Sequence, residues 1–303
     1  GDVKMRKQLI VSLLLVVGII LGACSSKDEN VIEVGTQDYT DPKIMGQIIK
    51  LLIENETDYT VNVTEDIQAS PQIINALDQG EFDVATLYSG EVYNNHFDDD
   101  KVEFSTEPEK TMEQAQNLFK EKFNFKWYDS IGFNNQYSVA VTREFAEENN
   151  VETMSDLGKF ADSIILGTDS AWKERANDGY EAYTEAYGYE FSDVRGMEIS
   201  LMYVGIENDE LDAITAYTVD PQIIEQDLVL LEDDKDFFAP YDASLVARGE
   251  LVEENQAVSD VLDSIVGLIS TEEMTELIRE VEINERNTTE VAEEFLKEKG
   301  MLD

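Results

Sequence analysis

Short apolar strands alternating with amphipathic helices predict an α/β protein with mainly parallel sheets. Two further observations support this: prolines and glycines stand where helices should start and stop, and no proline-rich or glycine-rich run forms a flexible linker. With one cysteine in 303 residues no disulfide can form within the chain. The fold therefore rests on a hydrophobic core, which a chain this long supplies as one or two domains.

Val31 to Gly35 reads as the first strand. Thr40 is placed to cap the next helix, in which Ile44, Ile48, Leu51 and Leu52 share a face. Val61 to Val63 is a second strand. Ser70-Pro71 offers a cap followed by a proline at the first helical position, and the helix Pro71 to Gln79 stops at Gly80. Phe82 to Leu87 forms a third strand that runs into Tyr88-Ser89-Gly90-Glu91. Open parallel sheets place ligands at the carboxyl ends of their strands, so this turn is a candidate site. The plan then repeats. Helix Lys110 to Phe123 leads to strand Tyr137 to Val141, a short helix near Ser155 to Ala161, strand Ser163 to Gly167, helix Tyr180 to Tyr187 and strand Leu211 to Tyr217. Strands Val229 to Leu231 and Ala243 to Val246 precede helices near Val252 to Leu268, Thr271 to Arg279 and Thr288 to Lys299.

Ahead of the first strand, Lys4, Arg6 and Lys7 precede an apolar run from Leu9 to Leu21, the plan of a secretory signal and too short for a bilayer span. Gly22-Ala23-Cys24 resembles a bacterial lipobox. That resemblance implies a signal peptide over 1–23, lipidation of Cys24, a tether over 24–30, and an extracytoplasmic body lipid-anchored to the bacterial cell membrane. No later segment is apolar enough to be a transmembrane helix.

Lysine and arginine number 22 against 66 aspartates and glutamates, a net charge of −44. Such a surface repels nucleic acid and anionic headgroups. Asp98-Asp99-Asp100 and Glu232-Asp233-Asp234 lack the spacing and turn glycine of a calcium loop, so they read as solvated surface and no metal site is expected. His96 is the only histidine and sits in the polar, exposed-looking run Asn94-Asn95-His96. A histidine-dependent triad has little to work with, and neither a phosphate loop nor zinc spacing occurs. No catalytic residue, no cofactor and no enzymatic activity are expected.

Of thirteen tyrosines, several fall beside Gly, Asn, Pro or Asp at strand ends, where a ring can face a cleft instead of a core. Singly, each of these tyrosines also suits a structural role. Gly35-Thr36-Gln37-Asp38-Tyr39-Thr40, the Tyr88-Ser89-Gly90 turn, Phe123-Asn124-Phe125-Lys126-Trp127 leading into Gly132-Phe133-Asn134-Asn135-Gln136-Tyr137, Asp178-Gly179-Tyr180, Leu230-Leu231-Glu232-Asp233-Asp234-Lys235 before Phe237-Phe238, and Glu293-Glu294-Phe295-Leu296 occur in order. Together they resemble the substrate-binding lipoproteins of bacterial ABC importers for glycine betaine, carnitine and choline, over essentially everything after Val31.

The resemblance implies a two-lobed, type II periplasmic-binding-protein-like α/β fold with a ligand cleft between lobes, lobe I being 31–110 plus 214–303 and lobe II 111–213. By motif match it implies a cage of Tyr88, Tyr137, Tyr217 and Tyr241 around a quaternary ammonium group. The chemistry agrees: a trimethylammonium has no N–H to donate, whereas each ring face attracts it by about 0.5 to 2 kcal/mol. Asn135 is a candidate contact to the ligand tail. Glu91 stands where relatives carry threonine, or aspartate in choline-selective members; facing inward it favours a wholly cationic ligand, and facing solvent it does nothing. Gln136, Val219 and Pro221 also depart from the pattern, in the tail pocket. The implied partners are a quaternary ammonium compound, an ABC permease with a cytoplasmic ATPase, and the membrane through the lipid anchor, the protein itself acting as a monomer in osmoprotectant uptake. Alternatives are a binding protein for ergothioneine or proline betaine, a surface hydrolase built on paired carboxylates, and an adhesive lipoprotein.

Overall fold

The amino-terminal β-α-β-α-β run builds most of one sheet. β1 (Val31–Gln37) is followed by helix Thr40–Glu56, β2 (Thr60–Ile67), helix Ser70–Asp78 and β3 (Val84–Tyr88). The computed structural model describes residues 30–98, 100–169, 172–173 and 179–302. The expected signal peptide at 1–23 and Cys24 lie outside the described residues. Helix Thr40–Glu56 buries Ile44, Ile48, Ile49 and Ile53 fully, each contributing about 1.5–3 kcal/mol by leaving water. Thr40 is not its cap, as Tyr39 holds that position, and the Thr40 hydroxyl donates to Glu282 at 2.6 Å.

β4 (Phe125–Asn134) and β10 (Asp242–Arg248) complete this sheet in the order β2-β1-β3-β10-β4. The second sheet contains β5 (Tyr137–Thr142), β6 (Ile165–Thr168), β7 (Asp193–Gly196), β8 (Ala213–Tyr217) and β9 (Leu228–Leu230), in the order β7-β6-β8-β5-β9. β1 pairs with β3, and β6 with β7 and β8, in parallel. β10 is antiparallel to β3 and β4, and β5 to β8 and β9. The sheets are thus mixed, not mainly parallel. The chain passes between them twice, and the strand that opens each new sheet, β5 and then β10, runs against its neighbours.

Helix Pro108–Phe123 and β4 pack in the first sheet's layer, and all of β8 pairs in the second. The crossings lie at 135–136 and within 231–241. β4 has no signature in the sequence because Trp127 and Tyr128 are both buried, so its alternation breaks, and its register with β10 shifts twice.

Both sheets are covered on both faces. Helices Thr40–Glu56, Gln256–Ser264, Thr271–Glu282 and Thr288–Glu298 cover one face of the first sheet, and Ser70–Asp78 with Pro108–Phe123 the other. Around the second sheet, an aromatic cluster including Trp172, Tyr183 and Phe238 fills one side, and helix Ile199–Glu207 the other. Ile32–Asp303 forms one compact unit. Among the described residues no helix is long and apolar enough to cross a membrane.

Candidate ligand-binding site

A cavity of about 550 Å³ opens where β1, β3, β5 and β8 end or begin, and Tyr88, Glu91, Asn135, Tyr137, Tyr217 and Tyr241 all line it. These residues come from four separate stretches of sequence. The register explains two of them: Tyr137 and Tyr217 are direct partners across β5 and β8, so they share one face of the sheet. Their ring centroids are 4.6 Å apart, and the Tyr217 hydroxyl donates to that of Tyr137 at 2.9 Å.

Tyr88 closes β3 and is nearly buried. Its hydroxyl donates to Asp41, which also accepts from Asn135 Nδ2 at 3.2 Å. Asp41 occupies the first turn of helix Thr40–Glu56, where the helix dipole favours an anion. Desolvation outweighs that dipole and the two hydrogen bonds, and pushes the carboxyl up to about 6. Asp220 is its counterpart beside the second sheet. It accepts from the Tyr203 hydroxyl at 2.5 Å and from the Tyr217 backbone N–H at 2.9 Å, and desolvation lifts it to about 6 as well. Burial raises the phenols of Tyr88, Tyr203 and Tyr217, which keeps these rings neutral.

Tyr241 is fixed from two sides. The buried Ser89 hydroxyl donates to Pro240 O at 3.2 Å and accepts from Asp242 N–H at 3.1 Å, while Asn135 N–H donates to Tyr241 O at 2.9 Å. Gly90 leaves room for the ring, because a Cβ there would lie 2.5 Å from Tyr241 Cε2.

Glu91 does not face solvent. It lies in the 3₁₀ turn Ser89–Tyr93, 4% exposed, accepting from Asn94 Nδ2 at 3.1 Å and sitting 3.3 Å from His96 Nε2. His96 is not the exposed residue expected: its side chain is 9% accessible and packs against Phe97 and Phe119. A polar neighbourhood in sequence concealed this, since the apolar partner comes from helix Pro108–Phe123. The Asn135 side-chain amide N–H is engaged by Asp41, while its Oδ1 is buried without a partner, as is Gln37 Oε1.

Sequence reasoning missed Asp41, Asp220, Tyr203, Gln37 and Glu282 as lining residues. The short Asp-Tyr-Thr-Asp run before the first helix signals acids at a helix start, but not that Asp41 is buried there. Asp38, Asp41, Glu91, Asp220 and Glu282 put five carboxylates around the cavity, and no Lys, Arg or His is among the described residues that line it. Such a lining attracts a cation, by ring faces and by charge, and offers a ligand carboxylate no positive partner.

Residues 30–298 match the family described as the substrate-binding domain of the ABC-type glycine betaine transport system. The chain is 32% identical over 297 residues to the carnitine transport binding protein OpuCC of Listeria monocytogenes, 96% of each being covered. It is 30% identical over 292 residues to the ergothioneine transport permease/ergothioneine binding protein EgtU of Helicobacter pylori, covering 95% of this chain and 51% of that one. A crystal structure of a glycine betaine/carnitine/choline ABC transporter matches with TM-score 0.82 and 34% identity, covering 90% of this chain and 100% of that one.

Proposed function

The chain belongs to the family of substrate-binding domains of ABC-type glycine betaine transport systems, and from that premise we propose that it captures a quaternary ammonium compound outside the cell and delivers it to an ABC permease driven by a cytoplasmic ATPase. Tyr88, Tyr137, Tyr217 and Tyr241 form the cage for the ammonium group. Glu91 and Asn135 face the tail, and Cys24 carries the lipid anchor. One lobe is the part of the chain in the first sheet's layers and the other that in the second, and a ligand touching both stabilises the closed form. The observation that carries this reading is the convergence of the four tyrosines on a cavity lined, among the described residues, by five carboxylates and no cationic side chain.

Among quaternary ammonium compounds the lining favours a wholly cationic one such as choline. A betaine carboxylate would meet like charges and the unpartnered oxygens of Gln37 and Asn135, which accept and do not donate. Similarity to EgtU supports a second reading, another methylated ammonium compound such as ergothioneine. Isothermal titration of the protein from residue 25 onward with choline, glycine betaine, carnitine and ergothioneine tests both. Saturable binding of at least one is expected, choline foremost, and binding of none would remove the reading.

A further inference from the structure

His96 is the only histidine in the chain, and the fold sets it behind the wall of the ligand cavity. Its Nε2 lies 3.3 Å from Glu91 Oε2, and the two side chains are 9% and 6% exposed. Phe97 and Phe119 hold the ring, at centroid distances of 6.4 and 5.7 Å. The charged groups around it come from three directions. Glu91 faces it from the 3₁₀ turn. From helix Pro108–Phe123, Lys122 Nζ donates to the His96 carbonyl oxygen at 2.5 Å. Asp98, Lys101 and Glu121 line a small pocket with Phe97 and Lys122. On the other side of Glu91 lies the cavity itself, with Asp38, Asp41, Asp220 and Glu282.

Resting on the reading of that cavity as a quaternary ammonium site, we propose that His96 is a positioning residue that sets the charge Glu91 presents to the ligand. A neutral imidazole holds the carboxylate in place and leaves it a full negative charge. An imidazolium keeps the same hydrogen bond but cancels that charge at the cavity wall. Because both groups are withdrawn from water, their charges act on a bound cation with little screening. Histidine is the side chain that ordinarily changes charge between about pH 5 and 8, so the strength of the Glu91 contact follows the pH of the medium outside the cell. The coupling is reciprocal: a bound cation must make protonation of His96 harder by the same factor by which protonation weakens cation binding.

A single histidine makes this directly measurable. The imidazole resonances of the wild-type protein, followed by NMR through its pH titration with and without saturating choline, should show the apparent pKa falling by about half a unit or more on binding. In parallel, choline affinity should drop by roughly threefold or more between about pH 8 and pH 5.5 in the wild type beyond the drop seen in His96→Gln, which keeps a hydrogen-bond donor but no titrating charge. Asp41 and Asp220 line the same cavity, so whatever pH dependence persists in His96→Gln belongs to them. An imidazole pKa unmoved or raised by choline, or identical pH profiles for the two proteins, would overturn the proposal. Failure of choline to bind the wild type at any pH would instead overturn the reading of the cavity, and this role with it.

Discussion

Desolvation raises Asp41 and Asp220 to about 6 from an ordinary 3.8. A folded pKa above the unfolded one means that the native state holds its proton more tightly. The stability each group lends is therefore present below about pH 4 and lost as the pH rises through about 6. Attraction for a cationic ligand has the opposite sign, growing as the two carboxyls ionise. Asp220→Asn separates the effects, because the amide oxygen can still accept from Tyr203 and from the Tyr217 N–H. At about pH 7.5 the unliganded variant should be more stable than the wild type by about 1 to 3 kcal/mol in denaturant melts, the gap closing toward pH 4. Its choline affinity should be lower at the same pH, and a variant less stable than the wild type would show that the hydrogen bonds outweigh the buried charge. Tyr217→Ala and Tyr241→Ala should each weaken binding by about 1 kcal/mol or more with the protein still folded, read by titration calorimetry; unchanged affinity in both would dissolve the cage.

The geometry of the proposed cage depends on how neighbouring elements meet. Gly90 in the 3₁₀ turn lies under the Tyr241 ring, so Gly90→Ala should displace that ring and weaken choline binding by about tenfold, or about 1.4 kcal/mol, with little change in melting temperature. A large loss of stability with normal affinity would place the contact in the fold instead of the site. Ser270 and Glu273 form a capping box on helix Thr271–Glu282, which carries Glu282 to the cavity. Ser270→Ala should cost about 1 kcal/mol of stability. The Tyr88-Ser89-Gly90-Glu91 turn is legible in the sequence as a strand end with turn residues. Its clamp on residues 240–242 is not, since Ser89 reaches its partners only through the antiparallel pairing of β3 with β10. A short apolar strand reads the same in either direction, which is why the mixed sheets were hidden while most of the elements themselves were plain. Glu91 illustrates the limit at the site: its residue type was informative, but its burial depends on His96 and Asn94 lying next to it in space.

For the molecule as a whole, the excess of 66 acids over 22 bases means that every compact state works against its own charge. Among the described residues, contacts that join the two sheets' surroundings by charge or hydrogen bond at the cavity rim include Gln222 Nε2 to Glu282 at 3.3 Å and Arg279 to Glu225 at 3.5 Å, both exposed. Raising the salt from about 0.05 M to about 1 M should therefore raise the melting temperature, since screening relieves the repulsion, and should weaken choline binding over the same range. A melting temperature that falls with salt would mean that specific ion pairs dominate. The two crossings carry a mechanical corollary. Asn135 lies in one and Tyr241 in the other, and the Asn135 N–H to Tyr241 O bond ties them together. On the two-lobed reading proposed above, a body joined to another at one such point turns about it as about a fulcrum, and the arc swept by any residue grows with its distance from the pin. Tyr137 and Tyr241, beside or within the pin, would then keep nearly constant company, and a contact away from it, such as that of Gln222 with Glu282, would travel further.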